Sequence, residues 1–229
     1  MSNKKKVETD LTLNDRLEGS LDSLLNKNKK VLIIVLAVLT IVLITLGVVS
    51  AVSKSNLHKQ FDQIDLLEET YTAIQAMDTE DATYQAKYDE LVSGLQSLSS
   101  KKANYPALKA EYLLGMVSFE KKEYQKALDS FMAVYGKAKA TYLGSLALSN
   151  AAAAAEELND NTLALEYYTK LIDEFGFSSA EAPKALFGQA RLQEKSGNMD
   201  LAKATFQQLA DQFPSSEYGK LAQNRVALL

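Results

Sequence analysis

Residues able to do chemistry are few in this chain, and their spacing does not suit catalysis. The single histidine, His58, has no serine and acid placed to complete a proton relay, so hydrolysis of the Ser-His-Asp kind lacks its parts. Cysteine is absent, which excludes disulfides, thiolate zinc sites, iron–sulfur clusters, a thiol nucleophile and a lipidated cysteine. Adjacent carboxylates occur at Glu68-Glu69, Asp89-Glu90, Glu156-Glu157 and Asp173-Glu174. They sit within helix-patterned segments, where such pairs are ordinary solvated faces rather than an acid and a base, and no histidine joins them to hold a metal. No GxGxxG, GxxxxGK[ST] or HExxH run is present to cradle a phosphate or a catalytic zinc. The reading is of a chain with no catalytic residue, no cofactor and no metal.

The elements around these residues explain more. Charge divides the 229 residues in three: residues 1–30 carry a net +2, residues 31–52 carry none, and residues 53–229 carry −6. A large acidic part has no footprint for nucleic acid, where affinity comes from lysine and arginine displacing phosphate counterions. The uncharged run, Val31 to Val52, is aliphatic apart from Thr40, Thr45, Gly47 and Ser50. As a helix it spans about 33 Å, enough for a hydrocarbon core of about 30 Å, so it is expected to cross a bilayer once. Lys27, Lys29, Lys30 and Arg16 precede it, with Lys4, Lys5 and Lys6 further out, against Lys54 and Lys59 after it. That bias predicts a cytoplasmic N-terminus and an extracytoplasmic remainder. Its length exceeds a signal-peptide core, so an uncleaved anchor is expected. Within residues 1–30, Leu13, Leu17, Leu21, Leu24 and Leu25 recur at helical spacing, which predicts a short amphipathic helix in a cytoplasmic tail.

Beyond residue 100 the sequence matches itself at a shift of 37 to 38 residues. Lys126–Tyr135 aligns with Leu163–Ile172 and then with Leu201–Ala210. Each copy sets an alanine (Ala127, Ala164, Ala202) four residues before an aromatic (Phe131, Tyr168, Phe206) and twelve residues after another small residue (Gly115, Ala152, Ala190). Small residues at those offsets let two antiparallel helices approach closely, and the aromatic one turn on is expected to fill the gap to the following hairpin. Turn signals fall between the helices at Lys121-Lys122, Asn159-Asp160-Asn161 and Ser196-Gly197-Asn198. Pro106 and Pro183 suit the first turns of helices, and Pro214 suits the residue after one.

On these residues the chain resembles the tetratricopeptide repeat family. Residues 183–216 meet the pattern best, through Ala190, Gly197, Ala202, Phe206 and Pro214, while residues 108–141 and 145–178 meet it less fully. The family's tryptophan is nowhere present, its first-helix tyrosine is replaced by Ser118, Ala155 and Gln193, and the period exceeds 34. The resemblance implies an all-α solenoid of helical hairpins, closed by a capping helix at 217–229. Residues 53–105 are expected to be a helical linker or a degenerate first repeat. The heptad-like Leu57, Ile64 and Tyr71, with Leu67 and Ile74 between them, leave open a homo-oligomer through residues 55–77.

In such a stack the first helix of each hairpin lines an inner groove. By register this groove is expected to present Lys109, Tyr112, Met116 and Phe119, then Leu146, Ser149, Asn150 and Ala153, then Lys184, Phe187 and Arg191. Tyr112, Met116, Phe119 and Phe187 would form an apolar strip suited to a helix or an extended segment of another protein. The layout of tail, single span and extracytoplasmic repeats resembles the ancillary subunit of the bacterial Sec translocon. That resemblance implies an inner-membrane protein with a periplasmic repeat domain, whose partners are the translocon, a membrane-anchored chaperone or envelope proteins. The C-terminal repeats also resemble those of periplasmic coordinators of envelope assembly and cell division, which gives a second scaffold reading.

Overall fold

A computed structural model describes residues 27–139 and 141–229. The amphipathic helix expected at Leu13–Leu25 lies outside them. Among the described residues the chain is all-α, with nine helices: α1 Lys29–Gln75, α2 Tyr84–Ser99, α3 Tyr105–Glu120, α4 Tyr124–Ala138, α5 Tyr142–Glu157, α6 Asn161–Phe175, α7 Ala182–Lys195, α8 Met199–Gln212 and α9 Glu217–Val226. Two compact units divide after His58.

In the first unit, α1 carries the apolar run, long and apolar enough to cross a membrane, with none of that window buried inside the chain. Its valines and isoleucines are poor helix formers in water, but in hydrocarbon a helix satisfies every backbone group internally. Two of the three hydroxyls in the run, those of Thr40 and Thr45, follow the same rule. Thr40 Oγ1 donates to the Leu36 carbonyl and Thr45 Oγ1 to the Val42 carbonyl, each at 2.8 Å. In a bilayer neither of these two hydroxyls would be left bare to hydrocarbon.

The second unit begins at Lys59. Here α1 buries Ile64, Leu67, Tyr71 and Ile74 along one helical stripe, and α2 answers with Leu91, Leu95 and Leu98. Four of the five heptad-like positions are therefore occupied within the chain, with Leu57 left exposed, and a homo-oligomer through residues 55–77 would have to displace those four. Gln60 at that seam accepts from Asn104 Nδ2 at 2.9 Å.

From α2 onward each helix packs on its sequence neighbours, in hairpins α3–α4, α5–α6 and α7–α8, with α9 against α8. The turns inside these hairpins are three copies of one structure. Lys122, Asn159 and Gly197 each take a left-handed conformation, with φ of 61°, 61° and 83°. The next amide then reaches five residues back, Glu123 to Ser118, Asp160 to Ala155 and Asn198 to Gln193, at 2.8 to 2.9 Å. Side-chain caps start other helices: Asn104 accepts from the Ala107 amide, Asp160 from Leu163 and Ser216 from Gly219. Pro106 and Pro183 occupy the first turns of α3 and α7, where a missing amide proton costs nothing.

All nine small and aromatic packing residues, from Gly115 to Phe206, are buried. A Cβ at Gly115 would come within 2.7 Å of the Phe131 ring, and one at Gly188 within 2.5 Å of the Tyr168 ring. Tyr168 thus reaches the following hairpin, as the spacing suggests. Phe131 and Phe206 instead meet the first helix of their own hairpin, through ring pairs with Tyr112 and Phe187. In these two hairpins the ring two turns into the second helix points back across its own hairpin.

Candidate protein-binding face

The first helices of successive hairpins, α3, α5 and α7, meet along a chain of polar contacts. Asn150 on α5 stands at its centre. Its Nδ2 donates to the Tyr112 hydroxyl at 2.7 Å and lies 3.5 Å from Met116 Sδ, while its Oδ1 accepts from Lys184 Nζ at 3.1 Å. On the α1 side, Lys109 pairs with Glu68 at 2.7 Å and stands over the Tyr112 ring. Further on, Glu156 links three helices, accepting from the Tyr168 hydroxyl at 2.9 Å and pairing with Arg191.

The electrostatics follow from this burial. The Tyr112 phenol is pushed up to about 12, first by loss of water and then by Glu181, with the Asn150 contact opposing. Burial holds the Lys184 ammonium below its usual range, against the pull of Glu181 and Glu156. Tyr168 is held far above the ordinary phenol value by burial and then by Glu156, with Arg191 opposing.

Of the expected groove residues, Tyr112, Met116, Asn150 and Lys184 come together in this network. Lys109 and Arg191 flank it, and Leu146 and Ala153 lie half-buried on the same helix as Asn150. Ser149 is fully buried, its hydroxyl without a partner among the described residues. The expected apolar strip is not continuous. Tyr112 is buried, Phe119 turns its edge to Tyr124 on α4, and Phe187 packs between Phe206 and Tyr218. Those rings serve the hairpins that hold them, because a half-buried phenylalanine gains more by covering its own core than by facing water. The side chains left on this face are mixed: Met116, Leu146 and Ala153 are apolar, and Asn150, Lys184 and Arg191 are polar. Beside it, between the second and third hairpins, opens a cleft of about 600 Å³ lined by Tyr142, Ser145, Leu146, Phe175, Ser179 and Glu181.

Sequence reasoning missed Glu156, and with it the buried bond from Thr205 to Gln193 at 2.8 Å. A signal was present, since both polar pairs sit at the twelve-residue offset that separates the small packing residues. Of the paired carboxylates, three have structural partners: Glu68 with Lys109, Glu156 with Tyr168 and Arg191, and Glu174 with the Tyr135 hydroxyl at 2.6 Å. Among the described residues no group of three or more His, Cys, Asp or Glu side chains could hold a metal ion.

Comparison with known proteins agrees with this geometry. Residues 184–216, which cover most of α7, all of α8 and the whole of the following turn, match the tetratricopeptide repeat family model. A TPR repeat-containing protein of Treponema pallidum (strain Nichols) is 31% identical over 111 residues, 48% of this chain and 45% of that protein. The chain spans a little under half the length of this relative. Residues 184–216 are thus similar to a tetratricopeptide repeat, and they lie in an all-α stack of helical hairpins that follows an apolar helix long enough to cross a bilayer.

Proposed function

We propose that the chain is a membrane-tethered scaffold that holds other proteins on the inner face of its hairpin stack, at the extracytoplasmic surface of a bacterial inner membrane. The observation that carries this reading is the alignment of α3, α5 and α7 through Tyr112, Asn150 and Lys184, which fixes a mixed polar and apolar face on a rigid support. A face of this kind suits a helix or an extended segment, and a tether confines it to a thin layer where its effective concentration for membrane-bound partners rises. The partners that best fit the layout are the Sec translocon and its membrane-anchored chaperone, so the scaffold assists export or folding of envelope proteins.

The test is affinity recovery of the full chain from detergent-solubilised membranes. Translocon or chaperone subunits should be recovered, and the double variant Lys184→Glu, Arg191→Glu should lose them. Recovery without any of these subunits contradicts the reading. A soluble, shortened chain on cell fractionation would point instead to the envelope-assembly scaffold.

A further inference from the structure

We infer that the second unit rests one end of its stack on the bilayer surface, through exposed aromatic rings and lysines that recognise anionic lipid headgroups. The inference relies on the reading of residues 31–52 as a membrane span.

The stack has two unlike ends. One carries the turns inside the hairpins, at 121–123, 158–160 and 196–198. The other carries the turns between hairpins, near 100–104 and 138–141, and also holds Lys59, where the chain enters this unit, as shown by the contacts of Gln60 and Phe61 with Asn104 and Tyr105. Every exposed phenylalanine or tyrosine among the described residues lies at this second end: Phe61, Tyr105, Tyr142 and Phe177. Three of them form a ladder, with Phe61 and Tyr105 centroids 5.9 Å apart and Tyr105 and Tyr142 6.3 Å apart.

Amphipathic aromatics settle at the headgroup level of bilayers. Lysines accompany the ladder. The sequence Lys-Ala-Asn-Tyr at 102–105 recurs as Lys-Ala-Thr-Tyr at 139–142, and Lys101 and Lys137 stand beside the two copies, all four lysines exposed. Asp65 and Glu68 act on Tyr105 from α1, and the third turn carries Asp173, Glu174 and Glu181, so the contact belongs to the first two turns. The opposite end has Lys121 and Lys122 but no exposed ring, and Lys121 Nζ stands 3.8 Å above Tyr88. Chain length makes the contact reachable: the apolar run ends at Val52, and the seven residues to Lys59, helical within α1, rise only about 10 Å. Lysines near an anionic surface add attraction that salt weakens.

The chain has no tryptophan, so a single introduced indole reports its own surroundings. Full-length Tyr142→Trp, Leu158→Trp and Val42→Trp are reconstituted in vesicles of brominated phosphatidylcholine, with and without phosphatidylglycerol. Leu158 is an exposed residue of the opposite end, and Val42 lies within the apolar run. Val42→Trp should be strongly quenched, and Tyr142→Trp should lose at least about twofold more emission than Leu158→Trp, as interfacial burial requires. Phosphatidylglycerol should deepen the Tyr142→Trp quenching, and Lys101, Lys102, Lys137 and Lys139 replaced together by glutamate should abolish that gain. If Tyr142→Trp is quenched no more than Leu158→Trp while Val42→Trp is quenched, this inference fails and the anchor stands. If Val42→Trp is also unquenched, both fall. Quenching of Tyr142→Trp indifferent to phosphatidylglycerol overturns the recognition of anionic lipid.

Discussion

In the first hairpin the rings of Tyr112 and Phe131 lie 5.6 Å apart; in the third, Phe187 and Phe206 lie 5.7 Å apart, at the same register positions. Each pair sits three residues before a small residue, Gly115 or Ala190, and four after an alanine, Ala127 or Ala202. Yet the family pattern is matched in the third hairpin and not in the first. The difference lies in residues that decorate this geometry. The third hairpin turns on Gly197 where the first turns on Lys122, and it offers an apolar ring, Phe187, where the first offers a phenol tied to Asn150. Close approach is kept by the small residue facing an aromatic; the rest of the motif is open to drift.

The equivalence of the two hairpins is broken most severely at their aromatic centres. Phe131→Ala and Phe206→Ala each remove a ring with at most 1% of its surface exposed, and each should cost about 4 kcal/mol by urea unfolding. Costs that differ by more than about 2 kcal/mol would show that the hairpins do not share one packing scheme.

Tyr112 and Phe187 separate the hairpins by pH. Burial pushes the Tyr112 phenol up to about 12 from its ordinary 10.0, so its contribution is complete below pH 10 and is lost as pH rises from 10 through 12. Tyr112→Phe should remove about 2 kcal/mol of this alkaline loss, while Phe187→Leu leaves the pH profile unchanged in shape. Denaturation midpoints at pH 9 and above check both.

Gly115 tests the close approach itself. Gly115→Ala gains about 1 kcal/mol of helix propensity but drives a methyl into the Phe131 ring, for a net loss of about 1 to 2 kcal/mol. Phe131→Leu in the same chain should reduce that loss, whereas the natural alanine at 190 already fits its hairpin.

The smallest effect is at the turns. Lys122→Gly should stabilise by about 1 kcal/mol, because a side chain strains a left-handed residue, and Gly197→Ala should destabilise by a similar amount. Thermal melts compare the two directly.

Much of this was legible beforehand because it rests on local periodicity. The 22-residue apolar run, the 37-to-38-residue shift and the prolines at helix starts all express one element at a time. The turn positions were legible too, although Lys122 and Asn159 do not announce their left-handed backbone as Gly197 does. Contacts between elements were harder to read. Helical register put Phe119 and Phe187 on the inner face, but could not show that each finds a nearer ring in or beside its own hairpin. Gly188 was overlooked because its partner, Tyr168, belongs to the preceding hairpin. By sequence Glu156 is one of a solvated pair, since nothing local reveals that a tyrosine twelve residues on and an arginine thirty-five residues on converge on it.

The proposed function turns on which side of the stack meets other proteins. Photoreactive residues placed singly at Met116 and Arg191 on the inner face, and at Thr162 on α6, can be crosslinked in native membranes and the adducts identified by mass spectrometry. The account predicts that Met116 and Arg191 capture a translocon or membrane-anchored chaperone subunit and that Thr162 does not. Adducts of those subunits at Thr162 alone, or at none of the three positions, would contradict it.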